Sequence, residues 1–264
     1  SSDLLSTANS TYKPGAGGAV GLGAFQEIKG KPEAALITGI AMTGGLYSNK
    51  SKLNLLDSTP IAKILREYDG IVVPASSKYR TLKALLDDLV AKPNAVAIAG
   101  GSKGGIDHQV IGLLAQKASI DPTKLNYVVF SGGPEVITSL LSGSTQVGIS
   151  GALDFAPYVA SGKLRYLGVS SAKPLTGIKA KTFVSQGYDL VYGNWRGIMA
   201  PADLSKADYL NFVKVIDIMH VSPAWAAQLK KNNWDNEFAA GTAFKAFLEK
   251  HIPEINKVMK GLGI

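Results

Sequence analysis

Short apolar runs alternate with stretches of helical spacing along this chain, and Gly and Pro separate them at close intervals. AALI at 34–37 is strand-like and is followed by a Gly/Thr turn through Gly45. Residues 61–66 and 70–74 read as two consecutive strands. Residues 82–90 carry apolar side chains at helical spacing, with Thr81 before them as a suitable N-cap. Residues 96–99 predict a strand, 108–118 a helix and 127–130 another strand, after which Ser131-Gly132-Gly133-Pro134-Glu135 leads into a helix through Leu141. Strands at 147–150 and 164–170 complete the middle block, and from Ser205 onward the pattern is helical.

Repeated strand–turn–helix units predict an α/β architecture with parallel sheets. In such sheets ligands sit at the carboxyl ends of strands, beside helix N-termini. Strand ends at 39–45, 100–105 and 131–133 are rich in small residues, and Ser150-Gly151 makes a fourth. Four such ends predict one shared pocket. The most informative of them lies in VAIAGGSKGGIDH at 96–108: a strand, a glycine-rich turn, then a helix start. Successive backbone N–H groups and the positive end of the helix dipole favour an anion there. Ser102 and Lys103 add a hydroxyl donor and a full positive charge, so the loop is suited to a carboxylate or phosphate.

Composition narrows the picture. With 264 residues, 46% of them apolar and 18% charged, the chain is long enough for one large domain or two lobes and is not of disordered type. The apolar runs are too short to span a membrane. Cysteine is absent, which excludes disulfides, thiol nucleophiles and Cys-ligated metals and fits an exported bacterial protein. His108, His220 and His251 lack ligand-like spacing, so no metal site is expected. The net charge of +8 suggests anionic partners. Residues 155–188 hold Lys163, Arg165, Lys173, Lys179 and Lys181, spaced singly without interleaved aromatics. They form either a solvated face or a docking face for an acidic partner, and no nucleic-acid-binding pattern is present.

Other motifs carry less. PGAGGAVG at 14–21 has the wrong register for G-x-G-x-x-G, and no acidic residue follows at a strand end, so no nucleotide cofactor is expected. A helix start that must pack closely explains it better. Ser170-Ser171-Ala172-Lys173 matches S-x-x-K, but Pro174 breaks the helix that motif needs and its companion triplets are missing. His108 is either a general base, a ring holding its loop through a backbone hydrogen bond, or a ring lying over the ligand; Asp107 reads as a helix cap. Arg196 in Asn194-Trp195-Arg196-Gly197 is either a bidentate carboxylate clamp or an arginine packed on its strand and paired with an acid. Trp225 and Trp234 read as packing residues.

Taken together, PGAGGAVG, TPIAKILREYDGIVVPASS at 59–77, GGSKGGIDHQ at 100–109, LNYVVFSGG at 125–133, LLSG at 140–143, SGKLRYLGVSSAK at 161–173 and GYDLVYGNWRGIMAPA at 187–202 resemble the extracytoplasmic solute-binding subunits of tripartite tricarboxylate transporters, the Bug family. GGS-x-GG-x-DH and NWRG resemble its tricarboxylate branch more closely. The resemblance implies a type II periplasmic binding protein, with two α/β lobes and a ligand cleft between them. Lobe 1 would be residues 1–75 and 194–264, and lobe 2 residues 76–193. It also implies ligand contacts at Gly39, Ile40 and Ala41, at Gly101, Ser102, Lys103, Gly104 and Gly105, and at Ser131, Gly132 and Gly133. His108, Ser150 and Arg196 complete the expected set. Ser150 stands where many members have Asp, a loss of negative charge suited to a more highly charged anion, and Ile40 stands where a small polar residue such as Thr is expected. Family members begin with a strand, a Pro/Gly-rich loop and a helix; only SSDLLSTANSTYK precedes PGAGG here, so either such a unit stands upstream of this sequence, the favoured reading, or half of the anion grip is lost.

The implied function is a periplasmic receptor, without catalysis, cofactor or metal. It would be a monomer that captures a citrate-like tri- or dicarboxylate and delivers it to membrane permease subunits. Its rivals are a periplasmic hydrolase or transferase using His108 and a loop serine, and a ligand-sensing partner of a signalling receptor.

Overall fold

The computed structural model describes residues 9–264; the start of the SSDLLSTANSTYK segment lies outside the described residues. Contacts divide the chain into two compact units. The first comprises the chain up to Arg66 together with Trp195–Lys257, and the second Glu67–Asn194 with Val258–Ile264. The chain therefore changes unit at Arg66/Glu67, at Asn194/Trp195 and at Lys257/Val258. The boundaries expected from sequence were near 75 and 193, with the whole C-terminus in lobe 1.

In the first unit, β1 (Leu36–Gly39) runs antiparallel to β7 (Gly193–Ala200), with Gly39 opposite Arg196. β7 lies beside β2 (Thr59–Pro74), and β8 (Ala239–Ala240) pairs antiparallel with β2 at Ala62 and Lys63. Helices α1 (Ala19–Gln26), α2 (Ile40–Ser48), α7 (Lys206–His220), α8 (Pro223–Lys231) and most of α9 (Thr242–Gly261) belong to this unit. Its core joins Ile61, Leu65, Ile198 and Ile216, with Trp225 and Trp234 packed against it as expected.

Two readings are corrected here. The Gly/Thr stretch after β1 is helix α2, not a turn. Gly45 is tolerated in a helix because Gly17 packs on it: a Cβ on Gly17, whose φ is +62°, would fall 2.5 Å from the Gly45 Cα. The expectation that PGAGGAVG marks a closely packed helix start is met by this contact. The two strands expected at 61–66 and 70–74 are one continuous β2. The polar Glu67-Tyr68-Asp69 interruption does not break it, because the Asp69 N–H donates to Ser170 Oγ at 3.0 Å and the Asp69 carbonyl accepts the Ser170 N–H at 2.9 Å.

The second unit is a five-stranded sheet in the order β6-β2-β5-β3-β4. Here β3 is Ala97–Gly100, β4 Asn126–Val129, β5 Val147–Gly151 and β6 Leu164–Val169. β3 is parallel to β4 and β5, whereas β2 is antiparallel to β5 and β6. Helix α3 (Leu82–Ala91) starts at Thr81, whose hydroxyl accepts the Ala84 N–H at 3.2 Å, as its sequence predicts. Leu82, Leu85, Leu86 and Leu89 form its buried stripe. Helices α4 (Ile106–Lys117), α5 (Gly133–Leu141) and the short α6 (Ala156–Ala160) complete the unit. α4 and α5 each follow a parallel strand, which sets both N-termini at the carboxyl edge of the sheet.

Candidate anion-binding edge

Three strand ends meet at this edge. β3 ends at Gly100, β4 at Val129 opposite it, and β5 at Gly151. The Phe130 N–H donates to the Gly100 carbonyl at 2.8 Å and ties the first two loops together. Gly105 and Gly132 cap α4 and α5, and neither helix has a side-chain cap. At α4 first-turn N–H groups are thereby left for an outside acceptor, whereas at α5 Pro134 has none and the Glu135 N–H donates to the Gly132 carbonyl at 3.2 Å, which leaves the Gly133 N–H.

The glycine loop shapes itself before it offers anything. The Gly101 N–H donates to Asp107 Oδ2 at 2.7 Å, the Gly104 N–H to His108 Nδ1 at 3.2 Å, and the Gly105 N–H to the Ser102 carbonyl at 2.8 Å. The Tyr127 hydroxyl donates to the Gly101 carbonyl at 2.9 Å, and Gln109 Nε2 to the Gly104 carbonyl at 2.8 Å. Thus Gly101, Gly104 and Gly105 hold the loop rather than present their N–H groups outward. Ser102 and Lys103 are its exposed tip. Asp107 is not the cap: Gly105 is, and Asp107 sits in the first turn of α4 with its carboxylate turned back on the loop.

His108 performs the loop-holding role among the readings its sequence left open. Its Nδ1 is committed to Gly104, and its ring stacks on Tyr127 at 4.1 Å between centroids, 8° from parallel. Burial first, then the Lys103 charge, pull its pKa down to about 4. A histidine depressed in the folded state contributes stability that is present above about 6.5 and is lost as pH falls through about 4, on the order of 3 kcal/mol. Asp107, pushed up to about 6 by burial, acts in the opposite sense: its contribution is full below 3.8 and lost as pH rises through about 6. In His108→Asn, whose Oδ1 can accept the Gly104 N–H, the acid-side loss should shrink; melting curves from pH 4 to 7 that overlay the unaltered protein's would contradict this.

At α5 the Ser131 N–H donates to Glu135 Oε2 at 2.9 Å, so this N–H too is committed. A Cβ on Gly133 would fall 2.7 Å from Asp154 Oδ2 and 3.0 Å from Ser150 Oγ, which shows how closely the two loops approach. Ser150 Oγ donates to Asp154 Oδ2 at 3.1 Å. Asp154, which the sequence reading missed, therefore places a carboxyl group beside Ser150. The signal was its position in the four-residue turn directly after β5. Burial raises its carboxyl above the usual range, opposed by the Ser150 hydrogen bond. Arg165, counted with the solvated lysines, instead donates to the Tyr79 and Ala75 carbonyls.

In the first unit, Gly39, Ile40 and Ala41 stand at the end of β1 and the start of α2, with Arg196 as the register partner of Gly39. Ile40 is only 1% exposed, so its side chain belongs to the core and only its backbone faces the strand end. Arg196 lies between two anchors. Trp195, fully buried, packs edge-on against Phe244, Phe247 and His251 at 5.4–5.9 Å, and Gly197 leaves no room for a Cβ against Phe244. Among the described residues no three His, Asp or Glu side chains could hold a metal ion, and no helix is long and apolar enough to cross a membrane.

The sequence model of the tripartite tricarboxylate transporter family receptor, TctC, matches residues 7–264. A UPF0065 protein of Bordetella bronchiseptica is 24% identical over 263 residues, covering 96% of this chain and 75% of its own. The periplasmic binding protein BugD superposes with a TM-score of 0.80 at 19% identity, over 95% of this chain and 85% of its own. MatC from Rhodopseudomonas palustris with bound malate superposes with a TM-score of 0.78 at 15% identity, over 93% and 85%. The fold is accordingly the α/β fold of TctC/Bug-type periplasmic binding proteins. The chain belongs to the tripartite tricarboxylate transporter receptor family, a family of solute-binding receptors rather than an enzyme class.

Proposed function

We propose that this protein is a periplasmic receptor that captures a small organic carboxylate and delivers it to the membrane permease subunits of a tripartite tricarboxylate transporter. The observation that carries this reading is the edge where three parallel strands end, two of them leading into helices whose N-termini lack a side-chain cap. Such an edge binds an anion through backbone dipoles and hydroxyls without altering it. Ser102, Lys103, Gly132, Gly133 and Ser150 supply the contacts in the second unit, and Gly39, Ile40, Ala41 and Arg196 in the first. Gly101, Gly104, Gly105, His108 and Ser131 support them. Ligand then biases an open–closed equilibrium by binding one state better.

The malate in MatC supports a carboxylate ligand. Asp154 bears on which one. A carboxylate hydrogen-bonded to Ser150 beside Gly133 repels a third ligand charge, so a dicarboxylate fits better than citrate, above all one with a hydroxyl to offer Asp154. A thermal-shift panel of citrate, tricarballylate, succinate, malate, adipate and glutamate, with phosphate and sulfate as controls, tests this. At 100 times its dissociation constant a true ligand stabilises by about 2.7 kcal/mol, a shift of several degrees. A shift with one dicarboxylate exceeding that with citrate is the expected result. A shift with sulfate or phosphate alone would turn the reading toward a different anion.

A further inference from the structure

Gly104 is the pivot of the anion loop. Its φ of +78° lies in the left-handed region that glycine adopts freely, so the peptide planes on either side of it must be held from outside. His108 Nδ1 holds the first by accepting the Gly104 N–H at 3.2 Å, and Gln109 Nε2 holds the second by donating to the Gly104 carbonyl at 2.8 Å. That second plane also carries the Gly105 N–H, which donates to the Ser102 carbonyl at 2.8 Å. Gln109 is fully buried, and its amide cannot be turned round, because the Gly104 carbonyl only accepts. Its Oε1 is therefore left for another donor, and the Tyr192 hydroxyl donates to it at 2.6 Å. We propose that Tyr192 is a positioning residue for the anion loop: through Gln109 it fixes the Gly104–Gly105 peptide and couples the loop to the strand ends at which the chain enters and leaves the second unit.

The backbone of Tyr192 supplies that coupling. Its N–H donates to the Ser170 carbonyl at 3.0 Å. Ser170 in turn is tied to β2: its N–H donates to the Asp69 carbonyl at 2.9 Å and its Oγ accepts the Asp69 N–H at 3.0 Å. Two residues after Tyr192, Asn194 Nδ2 donates to Glu67 Oε1 at 2.7 Å. Residues 192–194 are the last of the second unit before β7 leaves it, and residues 67–69 are its first on β2. Ser170 and Asn194 are buried, as Gln109 is, so these bonds are made away from solvent. Without the Tyr192 hydroxyl, Gln109 Oε1 would be a buried acceptor with no donor. An amide in that state turns or tilts toward a new partner and releases the Gly104 carbonyl. All of these contacts lie within the second unit; their bearing on ligand capture rests on the receptor reading.

The test needs no ligand. Amide hydrogen exchange of the whole protein reads the Gly105 N–H in the loop, the Tyr192 N–H at the strand end and the amides of α3 as a measure of general stability. Tyr192→Phe removes one oxygen, and Gln109→Met removes both ends of the amide while keeping its length. In Tyr192→Phe the Gly105 N–H should exchange about tenfold faster, with α3 unchanged. Gln109→Met should release Gly105 likewise and also speed exchange at Tyr192, since coupling is reciprocal. In the double variant Tyr192→Phe should add less than about twofold at Gly105, because its route to the loop is gone. Unchanged Gly105 protection in Tyr192→Phe overturns the proposal, and so does acceleration of α3 by the same factor, which would mark a general loss of stability. An effect of Tyr192→Phe that persists in full without Gln109 would make Tyr192 a packing residue and overturns it too. The single variant decides the matter even if Gln109→Met fails to fold. Because no ligand is present, this result and that of the carboxylate panel stand or fall separately.

Discussion

Trp195→Ala is expected to destabilise the protein by about 3–5 kcal/mol, a fall of roughly 6–20 °C in melting temperature. The indole is fully buried, and three aromatic side chains of α9 close around it edge-on at 5.4–5.9 Å. Few atoms nearby can collapse into the space, because Phe244 already lies against Gly197 with no room between them. The cavity term is therefore paid almost in full. Trp195→Phe should cost less than half as much, since it keeps an aromatic ring and removes an indole N–H that has no partner among the described residues. Trp195 also anchors the strand beside Arg196, the register partner of Gly39. Melting curves of the two variants decide the point: equal losses would show that filling the space with an aromatic ring is not what stabilises this position.

Gly133→Val is expected to weaken ligand binding more than tenfold, about 1.4 kcal/mol or more, while changing the melting temperature by no more than a few degrees. The new side chain would enter at the first residue of α5, where a Cβ lies 2.7 Å from Asp154 Oδ2 and 3.0 Å from Ser150 Oγ. Asp154 can swing toward solvent, so the fold tolerates the change. The space beside the backbone N–H at position 133 is then filled by methyl groups, and a ligand carboxylate can no longer reach it. Calorimetric titration of the variant is the check. An unchanged affinity would remove the start of α5 from the site.

Local patterns that depend on neighbours in sequence were legible from the residues. Thr81 before the 82–90 stripe announced α3, and the Gly-Ser turns after 99 and 130 announced the junctions of β3 with α4 and of β4 with α5. What depends on distant partners was not. Gly44 and Gly45 argue against a helix until Gly17 is seen packed on Gly45, and Glu67-Tyr68-Asp69 looks like a break in β2 until Ser170 is seen pairing with Asp69. The candidate site divides in the same way. Glycine content placed the turn between β3 and α4, but which of its N–H groups face outward depends on Asp107, His108 and the Ser102 carbonyl, each of which claims one. The charge argument from Ser150 leaves out Asp154, one turn further on, which accepts a hydrogen bond from its hydroxyl.

Reversible capture of a carboxylate is the central property expected of this protein. Calorimetric titration of the purified protein with malate, succinate, adipate and citrate, with the acid quantified afterwards, measures that. The predicted result is saturable one-to-one binding of a dicarboxylate, tighter than citrate, with all of the acid recovered unchanged. No binding of any of the four, or acid converted to another compound, would contradict it.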